Sequence, residues 1–512
     1  MHFWARERLD TQSKQRKAQE ALILVGGIFK KREDKSAHDW AFEKRIWSHM
    51  EVVRMSVMEL PELSELAEGV FHAAFLIGCL YANHGYYSQG GDLFRWSFEG
   101  QKELLGDVHP TTLNIINNMG NVFICQGDNP KALEWYQKAL DGCEKTLGED
   151  HPDTLNTVNN MATVFNSQGE YPKALVWYQM ALNGYEKTFG KDHPDTLNSV
   201  RNMAGVFDSQ GEYSKAPKWY HRALNGYEKT FGKDHPYTLN TVNNMADVFD
   251  SQGEYSKALE WYRRVLDGCE KTLGKSHPDT LATVSNMANV FNSQGEYSKA
   301  LEWYWRALDG RENTIGKDHV GTLNTVHSMA MVFSTQGEYS KALEWYQRSL
   351  DGYEKTLGRH HPNTLNTVNN MANVFNSQGD YSKALEWYQR ALDGCEKTLG
   401  RDHPNTLNTV NNMANVFNSQ GEYSKALEWY QRALDGCEKT LGSSHPHTLN
   451  TVNNMADLLD SQGEHSKALK WYQRALDGRE KTLGKDHPHT LNTVNNMADV
   501  FNSQGDDSKV LK

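Results

Sequence analysis

Ten histidines recur at intervals of 42 residues along this 512-residue chain, and the residues between them repeat as well. Nine of the ten are followed by proline, and Val320 is the exception. The copy between His361 and Asp402 reads HPNTLNTVNNMANVFNSQGDYSKALEWYQRALDGCEKTLGRD. A fixed period of this length is typical of a solenoid, in which each copy forms one supersecondary unit that stacks on its neighbours. The histidines are His109, His151, His193, His235, His277, His319, His361, His403, His445 and His487.

Each copy predicts two helices. In the copy that begins at His361, apolar residues recur three and four positions apart, which is typical of one face of an α-helix; they are Leu365, Val368, Met371, Ala372 and Phe375. A second series with the same spacing runs over 381–399. We expect Asn363 or Thr364 to cap the first helix and Gly379 to end it.

The hairpin formed by the two helices cannot bury both apolar faces by itself, so hairpins must stack. Ala372, Ala384 and Ala391 leave room for the helices to approach each other, and Phe375 and Tyr388 fill the remaining space. The sequence therefore predicts an all-α, right-handed superhelical solenoid of stacked helical hairpins, with a concave inner wall made mainly by the first helices.

These residues resemble the tetratricopeptide repeat (TPR). The small residue and the aromatic residue of the family's first helix fall on Ala372 and Phe375, and the alanine, aromatic and alanine of its second helix fall on Ala384, Tyr388 and Ala391. The usual TPR period is 34 residues, and the usual terminal proline is absent here. The 42-residue copies look like the repeats of kinesin light chains and of fungal NB-ARC/TPR (NLR-like) receptors.

The repeat boundaries divide the chain into four parts. Residues 1–66 are a helical segment in which HFWARERLDTQSKQRKAQEALILVGGIFKKRED resembles the end of an NB-ARC-associated module. Residues 67–108 are a degenerate capping copy, residues 109–486 are nine TPR units, and residues 487–512 are a partial tenth unit. Because no polar capping helix follows that unit, the chain could self-associate through its uncapped C-terminal end.

Two copies depart from the pattern in ways that predict local changes. Pro217 stands near the start of a second helix, where it removes a backbone donor, so we expect a distortion there. The copy that begins at His319 carries His327, Ser328 and Met331 where most copies have Asn or Asp, which predicts a different groove chemistry.

Charge and composition argue against several classes of function. The net charge is −11 and the charges are interspersed, so no basic stripe for nucleic acid exists. The longest apolar run, Ala21 to Phe29, is too short to span a membrane. The six cysteines form no short CxxC pair, so we expect reduced thiols in a cytoplasmic protein and neither a zinc site nor a redox motif.

Neither a catalytic site nor a cofactor site is indicated. Equivalent histidines in a solenoid lie a whole repeat apart, too far to share a metal ion. Gly268, Gly274, Lys275 and Ser276 resemble a phosphate loop, but five residues separate the glycines instead of four. We therefore expect no cofactor and no enzymatic activity.

The candidate site is a set of polar positions on the first helices, which face the groove by analogy with TPR domains. An asparagine ladder can hydrogen-bond the backbone of an extended peptide, and copies with aspartate would favour basic ligand residues. The alternatives are a solvated face or a ladder of hydrogen bonds between adjacent hairpins. The positions are Asn156, Asn159, Asn240, Asn243, Asp247, Asn366, Asn369, Asn373, Asn376, Asn408, Asn411, Asn415, Asn418, Asn450, Asn453 and Asp457.

The resemblance implies a protein–protein interaction scaffold that binds a peptide or protein ligand in its concave groove. The leading interpretation is the sensor part of a fungal NB-ARC/TPR signalling receptor. One alternative is a kinesin-light-chain-like cargo adaptor, although residues 1–66 contain no sustained heptads. Another is the tail of a full-length signalling NTPase.

Overall fold

The computed structural model describes residues 50, 51, 54, 55, 68–83 and 85–503. Within these ranges the chain forms 21 helices and no strand, which confirms the all-α solenoid. The first helices of the hairpins are α1 Glu68–Asn83, α3 Pro110–Cys125, α5 Pro152–Ser167, α7 Pro194–Ser209, α9 Pro236–Ser251, α11 Pro278–Ser293, α13 Val320–Thr335, α15 Pro362–Ser377, α17 Pro404–Ser419, α19 Pro446–Ser461 and α21 Pro488–Ser503. The second helices are α2 Tyr87–Leu105, α4 Asn129–Leu147, α6 Tyr171–Phe189, α8 Ala216–Phe231, α10 Tyr255–Thr272, α12 Tyr297–Thr314, α14 Tyr339–Thr356, α16 Tyr381–Thr398, α18 Tyr423–Thr440 and α20 His465–Thr482.

The repeated histidine caps the first helix of each copy. His361 has an extended backbone, with φ −68° and ψ 142°, and its Nδ1 accepts a hydrogen bond from the backbone N–H of Asn363. The prediction that Asn363 or Thr364 caps α15 is therefore wrong. Pro362 already occupies the first helical position, where its fixed φ suits the helix and its missing N–H costs nothing. The predicted end of α15 is confirmed, because Gly379 follows the helix with a φ of 78°.

Pro217 shortens one second helix, as predicted. Helix α8 begins at Ala216, whereas the equivalent helix α6 begins at Tyr171, three residues earlier in the repeat. Residues 213–215 form turns instead of helix. Without an N–H and with a ring that clashes with the preceding turn, proline is compatible with the first turn of a helix and with no later position.

The core of each hairpin is built around small residues on both helices. Ala372, Ala384 and Tyr388 are almost completely buried and pack in one cluster. A glycine of the second helix gives the closest approach: a Cβ atom at Gly394 would lie 2.3 Å from Cδ2 of Leu365. Fully burying a large side chain stabilises the fold by roughly 1.5–3 kcal/mol, so the stacked tyrosines and leucines provide most of the cohesion.

Successive second helices are joined across the outer surface by ion pairs. Arg390 on α16 pairs with Glu354 on α14, and the same pair recurs as Arg432 with Glu396 one copy later. These side chains are about one-third exposed, so each pair contributes little to stability. The successive first helices contact one another directly, which places them on the inner side of the curve.

The superhelix completes a full turn, and the next turn stacks on it. The first helices of one turn end against the first helices of the next turn, in the copy six positions later. At each contact, Nε2 of the capping histidine lies 3.0–3.3 Å from a backbone carbonyl oxygen 236 residues earlier. We call these four contacts the seam; they are His361 with Cys125, His403 with Ser167, His445 with Ser209 and His487 with Ser251.

Close packing and helix electrostatics support the seam. A Cβ atom at Gly127 would lie 2.5 Å from Cδ of Pro362, and one at Gly211 would lie 2.6 Å from Cδ of Pro446. The turn glycines therefore let the two layers touch. The negative carboxyl end of each lower helix meets the positive amino end of the upper one, which is the favourable arrangement of two helix dipoles. The first helices of both turns thus form one continuous inner wall.

The first described hairpin receives part of the N-terminal segment. Met50 is buried against Val70, Ala74 and Tyr81, and the hydroxyl of Tyr81 donates to Glu51 at 2.7 Å. The rest of the predicted helical segment 1–66 lies outside the described residues, as does the part of the tenth unit beyond residue 503. No helix in the described ranges is long and apolar enough to cross a membrane.

Candidate functional site

The sixteen polar positions predicted on the first helices divide into four groups by their surroundings. One group lies at the second turn of the helix with its side chains exposed on the inner wall; it comprises Asn156, Asn240, Asn366, Asn408 and Asn450. No described residue hydrogen-bonds the side chains of the first four of these, whereas the Oδ1 of Asn450 accepts from Arg479 at 2.7 Å. We call this group of exposed first-helix amides the amide row.

A second group lies between adjacent hairpins. Asn159, Asn369, Asn411 and Asn453 are buried. In the last copies, Oδ1 of Asn411 accepts a hydrogen bond from the side chain of Asn454 in the following copy, at 3.3 Å. Asn243 is half-buried and accepts from Asn286 at 3.1 Å in the same way. These amides therefore tie one first helix to the next.

A third group bonds the tyrosine of its own hairpin. The hydroxyl of Tyr430 donates to Oδ1 of Asn415 at 2.5 Å, and the same bond joins Tyr388 to Asn373. Tyr262 and Tyr472 donate in the same way to carboxylates, those of Asp247 and Asp457. Each bond satisfies a hydroxyl that is otherwise buried, which is a structural task.

The fourth group stands near the end of the first helix. Asn376 and Asn418 are half-buried, and the Oδ1 of each is shielded from solvent without a hydrogen-bond partner among the described residues. Their equivalents Asp208 and Asp250 also hold one such unpaired oxygen. The position therefore holds a buried acceptor without a described partner in several copies.

Acidic residues gather in the copies that begin at His193 and His235. Burial, followed by the charge of the nearby Asp247 carboxylate, raises the pKa of Asp208 to about 7 and the pKa of Asp250 to about 6. Burial also raises the pKa of Asp247 itself, against the hydrogen bond from Tyr262. Three carboxyls in one half-buried region favour a cation that would offset part of their desolvation.

The copy that begins at His319 differs from the others between adjacent hairpins, whereas its sequence predicted a change in the groove. His327 is buried, and its ring nitrogens lie 3.0 Å from Oγ1 of Thr367 and 3.1 Å from the side-chain nitrogen of Asn370. Burial lowers the pKa of His327 to about 4. The imidazole thus replaces asparagine in the ladder between hairpins as a neutral group.

Two sets of functional side chains were missed by the sequence reasoning. The second asparagine of each NN pair, such as Asn412 or Asn454, donates the hydrogen bond of the ladder. The capping histidines form the seam, which their sequence did not predict. The NN pair itself was the available signal for the ladder, because asparagine is a poor helix former and two in succession require a specific role.

The described part of the chain contains no group of three or more His, Cys, Asp or Glu side chains placed to hold a metal ion. The repeated cysteines Cys143, Cys269, Cys395 and Cys437 are buried singly near the end of their second helices. Burial raises the pKa of the Cys395 thiol to about 12, so this thiol is unreactive at neutral pH.

Comparison with solved structures finds helical repeat proteins of low similarity. BtubC (BKLC) from P. vanneervenii is 19% identical, with 45% of this chain and 92% of that chain covered and a TM-score of 0.38. A Podosopora anserina protein named for a kinesin light chain and its nearly identical TPR-like repeats is 22% identical, with 40% and 98% covered and a TM-score of 0.34. A Rap protein complexed with competence and sporulation factor is 15% identical, with 72% and 98% covered and a TM-score of 0.49.

The comparison with curated protein sequences gives no match. The family model of the tetratricopeptide repeat, in contrast, matches nine overlapping segments that together span 111–512; they are 111–187, 154–220, 209–271, 255–313, 279–355, 328–397, 363–439, 405–481 and 448–512. The matched span is well over half of the chain and includes the helices that carry the inner wall. This chain belongs to the tetratricopeptide repeat family.

Proposed function

We propose that this protein binds an extended polypeptide segment along the inner wall of its superhelix, as a non-catalytic interaction scaffold. The amide row carries the proposal. Asn156, Asn240, Asn366 and Asn408 are exposed and make no hydrogen bond to any described residue. Each of these four side chains offers two donors and one acceptor that no described residue uses.

An uncharged amide suits a ligand that is recognised by its backbone. The N–H and C=O groups of an extended chain need acceptors and donors in turn, and an asparagine supplies both without requiring a particular ligand side chain. Asn366 and Asn408 come from consecutive copies, so a segment bound to both would follow the wall from one first helix to the next.

Part of the wall would favour a basic residue of the ligand. Asp208, Asp247 and Asp250 hold carboxyls with raised pKa values and, in the case of Asp208 and Asp250, one unpaired buried oxygen each. A lysine or arginine of the ligand would stabilise the charged form of these carboxyls. The preferred ligand is therefore an extended segment whose backbone N–H and C=O groups are free to form hydrogen bonds, and which carries at least one basic side chain.

Selection of peptides from a displayed random library on the whole protein tests the proposal. Peptides that bind the wild type should be enriched in Lys and Arg, and N366A/N408A should weaken their binding by about tenfold, which corresponds to two lost hydrogen bonds. The matched control is V176E, which restores the glutamate of the sister copies at an exposed position of a second helix and should leave binding unchanged. Peptides that bind N366A/N408A and the wild type equally would refute the amide row.

We further propose that this binding serves as the sensor part of an NB-ARC/TPR signalling receptor. The support is the resemblance of the segment within residues 1–66, most of which lies outside the described residues. The full-length transcript tests this proposal: an in-frame G-x-x-x-x-G-K-[ST] module upstream, together with nucleotide binding by the longer chain, is the expected result. A transcript that begins at Met1 would contradict it and leave the polypeptide-binding proposal unaffected.

A further inference from the structure

One position near the end of each second helix lies between the first helix of its own copy and the first helix of the next copy. Most copies place cysteine or tyrosine there, and two place arginine, Arg311 and Arg479. Both arginines are buried, with 7% and 4% of their surface exposed. A guanidinium in such a place needs acceptors for all of its N–H groups, because burying an unpaired charge is costly.

Both terminal nitrogens of Arg479 have acceptors. Its Nη2 donates to Oδ1 of Asn450 at 2.7 Å, and its Nη1 donates to the backbone oxygen of His489 at 2.9 Å and lies 3.4 Å from Oδ1 of Asn453. The first helix of its own copy thus provides two asparagines, and the next copy provides a first-turn carbonyl and the hydroxyl of Thr493.

Arg311 has only two of these four acceptors. Its Nη1 donates to the backbone oxygen of Gly321 at 2.6 Å and to Oγ1 of Thr325 at 2.5 Å, as in the other arginine copy. The two asparagines are replaced by Ala282 and Ser285, and the hydroxyl of Ser285 is used by the backbone oxygen of Leu281. The Nη2 and Nε groups of Arg311 therefore donate to no described residue.

Several departures from the repeat meet at this junction. Ala282 is the one member of its series of ten that is not asparagine, and Val320 and Gly321 replace the proline and the polar residue that begin most first helices. Ala282 and Gly321 reduce the side-chain volume near the guanidinium of Arg311. Val320 has a backbone N–H that the proline of the other copies lacks. The first turn of α13, to which Arg311 is bonded, adds the positive end of a helix dipole.

We propose that Arg311 binds the carboxylate of a ligand in the space left by Ala282 and Ser285 on the inner wall. The side-by-side Nη2 and Nε donors match the two oxygens of a carboxylate. The acidic residue whose charge acts on Arg311 is Asp279, which is largely exposed and forms no ion pair with it. This site does not rest on the proposed polypeptide binding, because a small carboxylate should occupy it alone.

The chain supplies its own matched controls. A282N/S285N restores the two asparagines that satisfy Arg479 in the sister copy, so it should fill the site while it preserves the fold. Ala282→Asn alone serves as a second variant, at a half-exposed helical position that carries asparagine in the other copies. R311C places the residue of several sister copies at the junction and identifies the signal of Arg311 by its loss.

Titration of the whole protein with sodium acetate, at constant ionic strength and with the arginine Nε–H resonances observed by NMR, tests the site. The Arg311 resonance should shift saturably in the wild type, and the apparent affinity should fall at least tenfold in A282N/S285N or in Ala282→Asn. An unsaturable or absent shift in the wild type, or an affinity in both asparagine variants equal to that of the wild type, would overturn the proposal. Inorganic phosphate that binds more tightly than acetate would overturn the assignment to a carboxylate.

Discussion

The imidazole of His403 links two residues that are far apart in the chain. Its Nδ1 accepts a hydrogen bond from the backbone N–H of Asn405 at 3.1 Å, and its Nε2 lies 3.0 Å from the carbonyl oxygen of Ser167, 236 residues earlier. Since the carbonyl can only accept, His403 is neutral with its proton on Nε2. One side chain therefore begins a helix and holds two turns of the superhelix together. The equivalent histidine outside the seam, His151, has a side chain that is 37% exposed, whereas His403 is buried by the contact.

Removal of two seam histidines should open the superhelix. In H361S/H403S each serine can still cap its helix, but it cannot reach the carbonyl of the preceding turn. We expect an unchanged helical circular dichroism spectrum and a larger radius of gyration by small-angle X-ray scattering. The matched control is H109S/H151S, which alters the same position in copies whose histidines contact no earlier turn in the described part of the chain. Equal radii for the two double variants would show that the seam does not hold the turns together.

Acid should weaken the seam. Burial, with a smaller effect of the neighbouring His447, lowers the pKa of His445 to about 4, against about 6.5 for an unfolded histidine. Below pH 6.5 the unfolded chain binds a proton that the folded chain does not, so this contribution is fully present above pH 6.5 and is lost as the pH falls towards 4. The melting temperature should fall over that range, and H445S should reduce the fall. The same slope in H445S and in the wild type would contradict this role.

Asp208 should have the opposite pH dependence. Burial, followed by the charge of Asp247, raises its pKa to about 7, so the folded chain binds a proton more tightly than the unfolded chain does. Stability is therefore lost as the pH rises from about 4 to 7. D208N, which restores the asparagine of the sister copies, should stabilise the protein by about 1–2 kcal/mol at pH 8 and by little at pH 4. Chemical denaturation at the two pH values measures this, with the exposed D309N as control.

Replacement of Pro217 by the leucine of the sister copies should lengthen α8. The helix would then extend back towards Tyr213 and gain the backbone hydrogen bonds that proline prevents, with a stabilisation of about 1–3 kcal/mol. Thermal unfolding and the ellipticity at 222 nm measure both effects. P172S is the control, because Pro172 lies in the first turn of α6, where proline is tolerated. A gain of similar size in P172S would mean that the position of the proline is irrelevant.

Substitution of Asn408 should affect peptide binding, whereas substitution of Asn411 should affect stability. Asn411 is buried and accepts from Asn454, so N411A should cost about 1 kcal/mol of stability by removing one of the two acceptors of the Asn454 amide, the other being Asn415. Asn408 is exposed and bonds no described residue, so N408A should leave the melting temperature unchanged and weaken peptide binding. Denaturant titration of both variants, with peptide affinity measured in parallel, provides the comparison. Loss of stability in N408A would place it in the ladder instead.

Local pattern in the sequence was enough to predict each hairpin. The three-and-four spacing identified both helices, the alanines identified where they meet, and Pro217 identified the one shortened helix. The prediction of the helix cap was wrong. It relied on the intrinsic preference for asparagine and threonine over histidine as N-cap residues, but Pro362 occupies the first helical position, so the cap is His361. The role of Gly394 was also missed, although a glycine within a helix of every copy indicates a close approach.

The repeat, the family and the hairpin could be inferred from the amino-acid sequence, because they depend on contacts between residues that are near one another in the chain. Which asparagines are exposed and which are used between hairpins became clear from the folded chain, since that depends on how adjacent hairpins cross. The same holds for the contact of His403 with Ser167 and for the missing acceptors of Arg311. Each copy is rotated slightly relative to the copy before it, and the seam forms only after six such rotations. No local sequence pattern determines their sum.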